Sequence, residues 1–209
     1  MSLITNLAKL KAKIAQAAQK AGRNPNQIKL LVAGKYATTD QLLQLIKASQ
    51  KLIGENRAQD LLRKYASIGN QAEWHFIGHL QRNKVKDVVP IISMLHSLDS
   101  FRLADELEKQ LAKIGKTLPV LIEVNLAAEA TKSGVTPDEL PQLIHHCRKL
   151  PHLQLIGLMT MSRSAHFATL RHLAHQYDLP ELSMGTSADF EIAIQEGATI
   201  IRLGRIVFS

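Results

Sequence analysis

The sequence predicts an α/β fold, a single (β/α)8 TIM-type barrel with an extra helix before the first strand, on three observations. Short apolar runs alternate with longer amphipathic stretches along the whole chain. The runs are apolar at consecutive residues rather than at every second one, as a parallel sheet covered by helices requires. Eight such runs occur, and the chain stops soon after the last, so the opening helix is free to take the place of a terminal one. An open doubly wound sheet has the same alternation and is the alternative.

The elements follow in order. Residues 3–21 place Leu3, Leu7, Leu10, Ile14 and then Ala17 or Ala18 at three- and four-residue spacings, with Gly22 where a helix cap belongs. Strands are predicted over 30–33, 52–54, 74–77, 94–97, 120–125, 154–159, 181–184 and 199–203. Helices between them include 40–49, 101–114 and 187–196, while the seventh, between Ser164 and Tyr177, is short and weakly apolar. No repeat, low-complexity tract or flexible linker divides the chain, so residues 1–209 are expected to form one domain.

Composition narrows the function classes. Nearly half the residues are apolar and about a fifth charged, which is globular composition. No apolar run approaches the ~20 residues needed to cross a bilayer, and no signal peptide opens the chain, so a cytoplasmic protein without a membrane partner is expected. Cys147 is the only cysteine; it reads as a packed helix residue in a reducing compartment. The net charge of +8 invites a nucleic-acid reading. Its lysines and arginines are mixed with acids and lack interleaved aromatics, so no nucleic-acid partner is expected and a small phosphorylated ligand suits the charge better. None of the nine histidines has metal-ligand spacing, so no metal is expected.

In a barrel the working residues stand at the C-terminal ends of the strands. Strand one ends Ala33-Gly34-Lys35, strand two Gly54-Glu55-Asn56, strand three Ile77-Gly78-His79 and strand eight Arg202-Leu203-Gly204-Arg205. A lysine there can have its ammonium partly desolvated, which frees the amine to attack an aldehyde. The segment Ser183 to Ser187 offers hydroxyls and the amides opening a helix, a phosphate cradle or simply an N-cap and turn. Gly204 permits a second backbone approach. Arg202 shares a strand face with Gly204; an inward arginine needs a ligand or a partner, for which Glu181 and Asp189 are the candidates. Asn56 and His79 could bond a ring substituent or satisfy nearby backbone.

The segments LVAGKYATTDQLLQLI, IGENRAQDLLRKY, EWHFIGHLQRNKVKDVV, LHSLDSFRLADEL, VLIEVNLAAEATKSGV, LIGLMTM and LSMGTSADFEIAIQEGATIIRLGRIVFS carry a resemblance over nearly the whole chain. It resembles the pyridoxal phosphate homeostasis family (YggS-like, or proline synthase co-transcribed, proteins), which is similar to the N-terminal domain of alanine racemase. The resemblance implies pyridoxal 5′-phosphate (PLP) held as an internal aldimine on Lys35. It also implies phosphate binding by Ser187 and the amides of Gly204 and Arg205, with Arg202 facing the pyridine nitrogen. An arginine there leaves that nitrogen unprotonated and weakens the ring as an electron sink.

Asn56, Met159 and Ser183 match positions lining the ring or phosphate, and Lys132 is a further cation near the mouth. The family usually has serine where Gly34 stands and threonine where Arg205 stands, and the stretch from Met161 to Glu181 is abbreviated. The implied function is intracellular PLP homeostasis without turnover, by a monomer, with PLP-dependent apoenzymes as recipients. The alternative is a PLP-dependent amino-acid racemase or related α-carbon enzyme; it needs an acid or base on each face of the ring, and related racemases take one from an additional C-terminal domain.

Overall fold

The alternation closes on itself. In the computed structural model, which describes residues 2–127 and 133–209, eight parallel strands form one barrel in chain order. They are β1 (Lys29–Ala33), β2 (Leu52–Glu55), β3 (Glu73–Phe76), β4 (Met94–Leu98), β5 (Leu118–Glu123), β6 (Leu153–Met159), β7 (Glu181–Ser183) and β8 (Ile200–Leu203). Pairing of β1 with both β2 and β8 rules out the open sheet. The helices are α1 (Leu3–Lys20), α2 (Thr39–Lys47), α3 (Ala58–Ile68), α4 (Val85–Val88), α5 (Phe101–Ile114), α6 (Leu140–Cys147), α7 (Phe167–Gln176), α8 (Phe190–Gln195) and α9 (Arg205–Phe208).

The strands read as runs because both of their faces are buried. Leu30, Val32, Ile53, Trp74, Phe76 and Leu95 point outward into the layer beneath the helices. Leu31, Ile77, Met94, Leu121, Met159 and Ile200 fill the barrel interior. His75, His96, Ser183 and Arg202 are buried as well, a polar group in an otherwise apolar set of strands.

Some local features depart from expectation. The helix expected over 187–196 begins only at Phe190, because Asp189 Oδ1 accepts from both the amide (2.7 Å) and the hydroxyl (3.1 Å) of Thr186 and closes a turn first. After β8 the chain forms the short helix α9, too brief to leave a periodic signal. Helix α5 spans its expected residues, whereas α7, expected to be short, runs 10 residues and is longer than α2, α6 and α8.

The opening helix does cover the end of the barrel sequence. Its buried face, Leu7, Leu10, Ile14, Ala17 and Ala18, packs against α8, α9 and α2. Ser2 caps its start, accepting from the Thr5 amide, and Gly22 follows its end with φ +67°, a conformation that costs glycine little. Asn6 Nδ2 donates to the carbonyls of Ile206 (2.7 Å), Val207 (2.9 Å) and Ser209 (3.0 Å), groups that a short terminal helix leaves unpaired.

Cys147 is buried on α6, and burial pushes its thiol up to about 12, the state of a packed side chain. Among the described residues no helix is long and apolar enough to cross a membrane, and no cluster of metal-ligating side chains occurs.

Candidate functional site

At the C-terminal end of the barrel lies a cavity of about 430 Å³ that Lys35, Arg202, Gly204, Arg205 and Ser187 reach together. Asn56, Tyr36, Met161 and Thr186 line it too. Its size falls within the roughly 300–1,000 Å³ of small-ligand pockets. Three cations and no carboxylate border it among the described residues, so it suits an anion.

Lys35 owes its place to what lies behind it. Strand β1 stops at Ala33, and Gly34–Tyr36 form a single 3-10 turn that lifts Lys35 out of the sheet. Lys35 is exposed, so the partial desolvation expected of a strand-end lysine is not found; its Nζ stands 5.1 Å from the centre of the Tyr36 ring. Behind the turn, Lys64 of α3 donates to Glu55 Oε1 and to the Gly34 carbonyl, each at 2.6 Å. Both side chains of this ion pair are buried. A Cβ on residue 34 would collide with Glu55 Oε1, so glycine is what fits beside the ion pair. Burial pushes the Glu55 carboxyl above its usual range while Lys64 opposes the shift. At 2.6 Å the pair is read as ionised.

Arg202 is buried and points inward from β8. It pairs with neither expected acid: Glu181 accepts from Lys29 at 2.6 Å, and Asp189 is engaged by Thr186. Its guanidinium instead donates to Ser183 Oγ (2.7 Å), the Thr160 carbonyl (2.8 Å) and Met161 Sδ (3.2 Å). Burial lowers its pKa to about 10, still far enough above neutrality to keep the cation.

Ser183 and Met159 sit deeper than expected. Both are fully buried beneath the cavity, Met159 within the barrel interior and Ser183 behind Arg202, while Met161 lines the cavity two residues on. The turn through Thr186, Ser187 and Ala188 lines the same cavity as Gly204 and Arg205. Arg205 is exposed, with its guanidinium carbon 5.8 Å from the centre of the Tyr36 ring. Tyr36 thus meets two cations, a contact its position beside Lys35 could have suggested.

His79 opens elsewhere. It lines an adjoining cavity of about 350 Å³ with Asn56, Arg57 and Lys84, and its Nδ1 lies 2.8 Å from Asp99 Oδ2. Asn56 borders both cavities. Lys132 lies outside the described residues.

Glu123, at the end of β5, was not singled out from sequence, although an acid closing an apolar run is a visible signal. Burial, reinforced by Asp99, pushes its carboxyl up to about 7 against the opposing charges of Arg202 and His79. A raised carboxyl means that the folded chain keeps a proton the unfolded chain has released. Stability should therefore fall as pH rises from about 4.5 to about 7, by on the order of 1–3 kcal/mol. Glu123→Gln should flatten that slope, as read from urea midpoints measured across this window.

The sequence profile of the alanine racemase N-terminal domain family matches residues 5–209. The pyridoxal phosphate homeostasis protein of Aquifex aeolicus is 40% identical over 100% of this chain and 98% of its own. That of Pseudomonas aeruginosa is 37% identical, covering 99% and 95%. Among solved structures, PipY of Synechococcus elongatus with PLP bound superposes with a TM-score of 0.83 at 30% identity, covering 100% of both chains. The chain belongs to the alanine racemase N-terminal domain family and, within it, stands with the pyridoxal phosphate homeostasis proteins.

Proposed function

We propose that this protein binds pyridoxal 5′-phosphate covalently through Lys35 and holds it for transfer, as a homeostasis protein rather than a catalyst. The observation that carries the reading is the cavity itself: an exposed primary amine, a buried guanidinium and a hydroxyl-rich turn converge on one anion-suited volume. When bound there, PLP supplies an aldehyde that a primary amine captures reversibly with loss of water.

Each residue then has a task. Lys35 offers the amine from a turn braced by the Glu55–Lys64 pair. Ser187, with the backbone of Gly204 and Arg205, receives the phosphate, and the Arg205 guanidinium adds charge at the rim. Arg202 meets the ring nitrogen as a donor that gives up no proton near neutral pH. Asn56 borders the ring side, and Met159 and Ser183 form the layer beneath.

Storage and delivery need a cofactor that can leave. The exposure of Lys35 and Tyr36 supports exchange with the amine of a recipient apoenzyme in the cytoplasm. Alpha-carbon chemistry would call for an acid or base beside the amine, and His79 faces the adjoining cavity instead. The test is an absorbance spectrum of the protein with PLP before and after borohydride reduction, followed by mapping of the modified lysine. Attachment at Lys35 is expected; attachment elsewhere, or none, would overturn the reading.

A further inference from the structure

A line of polar side chains crosses the barrel interior from the cavity to the opposite end. Arg202 Nη1 donates to Ser183 Oγ at 2.7 Å, and that oxygen lies 2.8 Å from His96 Nδ1. His96 Nε2 lies 2.8 Å from His75 Nδ1, and His75 Nε2 lies 3.3 Å from Glu73 Oε1. The first four residues are at most 4% exposed. Glu73 opens strand β3, so it stands exposed at the N-terminal end of the barrel, away from the cavity.

Counting protons fixes the direction of every bond. Arginine has only donors, so Ser183 Oγ accepts from Arg202, and the serine's own proton goes to His96 Nδ1. That nitrogen must be bare. His96 is neutral, because burial, with His75, Arg202 and Lys29 nearby, pushes its pKa well below the usual imidazole range. Its single proton therefore sits on Nε2 and is given to His75 Nδ1. His75 in turn carries its proton on Nε2, where the Glu73 carboxylate accepts it; that contact, aided by Lys29 and Ser93, holds the Glu73 carboxyl low. In the reverse direction Ser183 Oγ would accept twice with no acceptor for its own proton, and His75 would need a proton on each ring nitrogen to keep its bond to Glu73.

We propose that Ser183, His96 and His75 are positioning residues, a one-way hydrogen-bond chain that orients Arg202 and links its charge to the Glu73 carboxylate at the far end of the barrel. The three near partners of Arg202 are all neutral: a hydroxyl, a carbonyl and a thioether. Along the chain each dipole turns its negative end toward Arg202, and the aligned groups polarise one another. Glu73 thereby acts on the cavity without touching it. The inference rests on the reading of Arg202 as the ring partner of PLP, but the direction of the chain belongs to the cofactor-free protein.

Long-range proton–nitrogen NMR of the full chain, labelled at its histidine ring nitrogens and free of cofactor, reads the direction. His75 and His96 should both carry their proton on Nε2. In Glu73→Gln, a surface change, the His75 ring shifts should move and the absorbance maximum of bound PLP should shift with them. In Ser183→Ala, PLP affinity should fall by roughly tenfold or more.

A purely structural role would lower thermal stability and confine the change to the His75 ring shifts, leaving the spectrum of bound PLP alone. A proton on Nδ1 of either ring in the unaltered protein, or a Glu73→Gln protein that binds PLP with an unchanged spectrum, overturns the proposal. Failure of Lys35 to trap PLP would remove the functional reading while the ring measurement still decided the chain.

Discussion

Lys35→Ala should abolish the borohydride-trapped attachment of PLP and shift the bound cofactor's absorbance to that of free aldehyde. The remaining cradle, Ser187, Gly204, Arg205 and Arg202, is untouched by the change, so weak non-covalent binding should survive. Because Lys35 is exposed and its Nζ serves no structural hydrogen bond among those described, the variant should unfold at the same urea concentration as the unaltered protein. Loss of the covalent signal without loss of stability is the combination expected of a ligand-binding lysine. An unchanged imine spectrum in Lys35→Ala, or modification mapped to Lys64, would contradict it.

Lys64→Met should have the larger effect on stability. Glu55 and Lys64 are both buried, Glu55 Oε1 accepts from Lys64, and Glu55 Oε2 has no hydrogen-bond partner among the described residues. Removing the lysine strands a carboxylate that burial already disfavours, and such a half-broken buried pair typically costs about 3–5 kcal/mol. The urea midpoint should fall accordingly with little change in slope. The Gly34 carbonyl also loses its donor, so the turn carrying Lys35 should loosen and PLP binding weaken alongside. Replacing Glu55 and Lys64 together by apolar residues should recover much of the stability, since no charge is then left unpaired. Recovery of stability without recovery of binding would separate the pair's support of the fold from its support of the lysine.

Much of this was legible in the sequence because barrel strands announce themselves. Consecutive apolar residues such as Leu30 to Val32 and Val120 to Ile122 have no polar face to show, and the helices between them do. The positions of Lys35, Ser187, Arg202, Gly204 and Arg205 around one cavity follow from strand ends in a closed barrel.

The less visible features depend on contacts across long sequence separations. That Glu55 would meet Lys64 under Gly34, or that His96 would meet Ser183, depends on which strands become neighbours and on the depth of each side chain. The depths of Met159 and Ser183 and the placement of Met161 depend in the same way on where β6 and β7 stop. The late start of α8 was hidden for another reason: the Thr186–Asp189 turn uses the same residue types as a helix cap.

The packing of α1 sets an order on the folding of the chain. Helix α1, made before any barrel strand, hides its apolar stripe mainly against α8 and α9, and Asn6 finds its three carbonyls among residues 206–209. Until those residues emerge, Leu7, Leu10 and Ile14 lack much of their cover. A growing chain therefore carries an exposed greasy surface until α8 and α9 have been made, and the barrel can be sealed only once they are available.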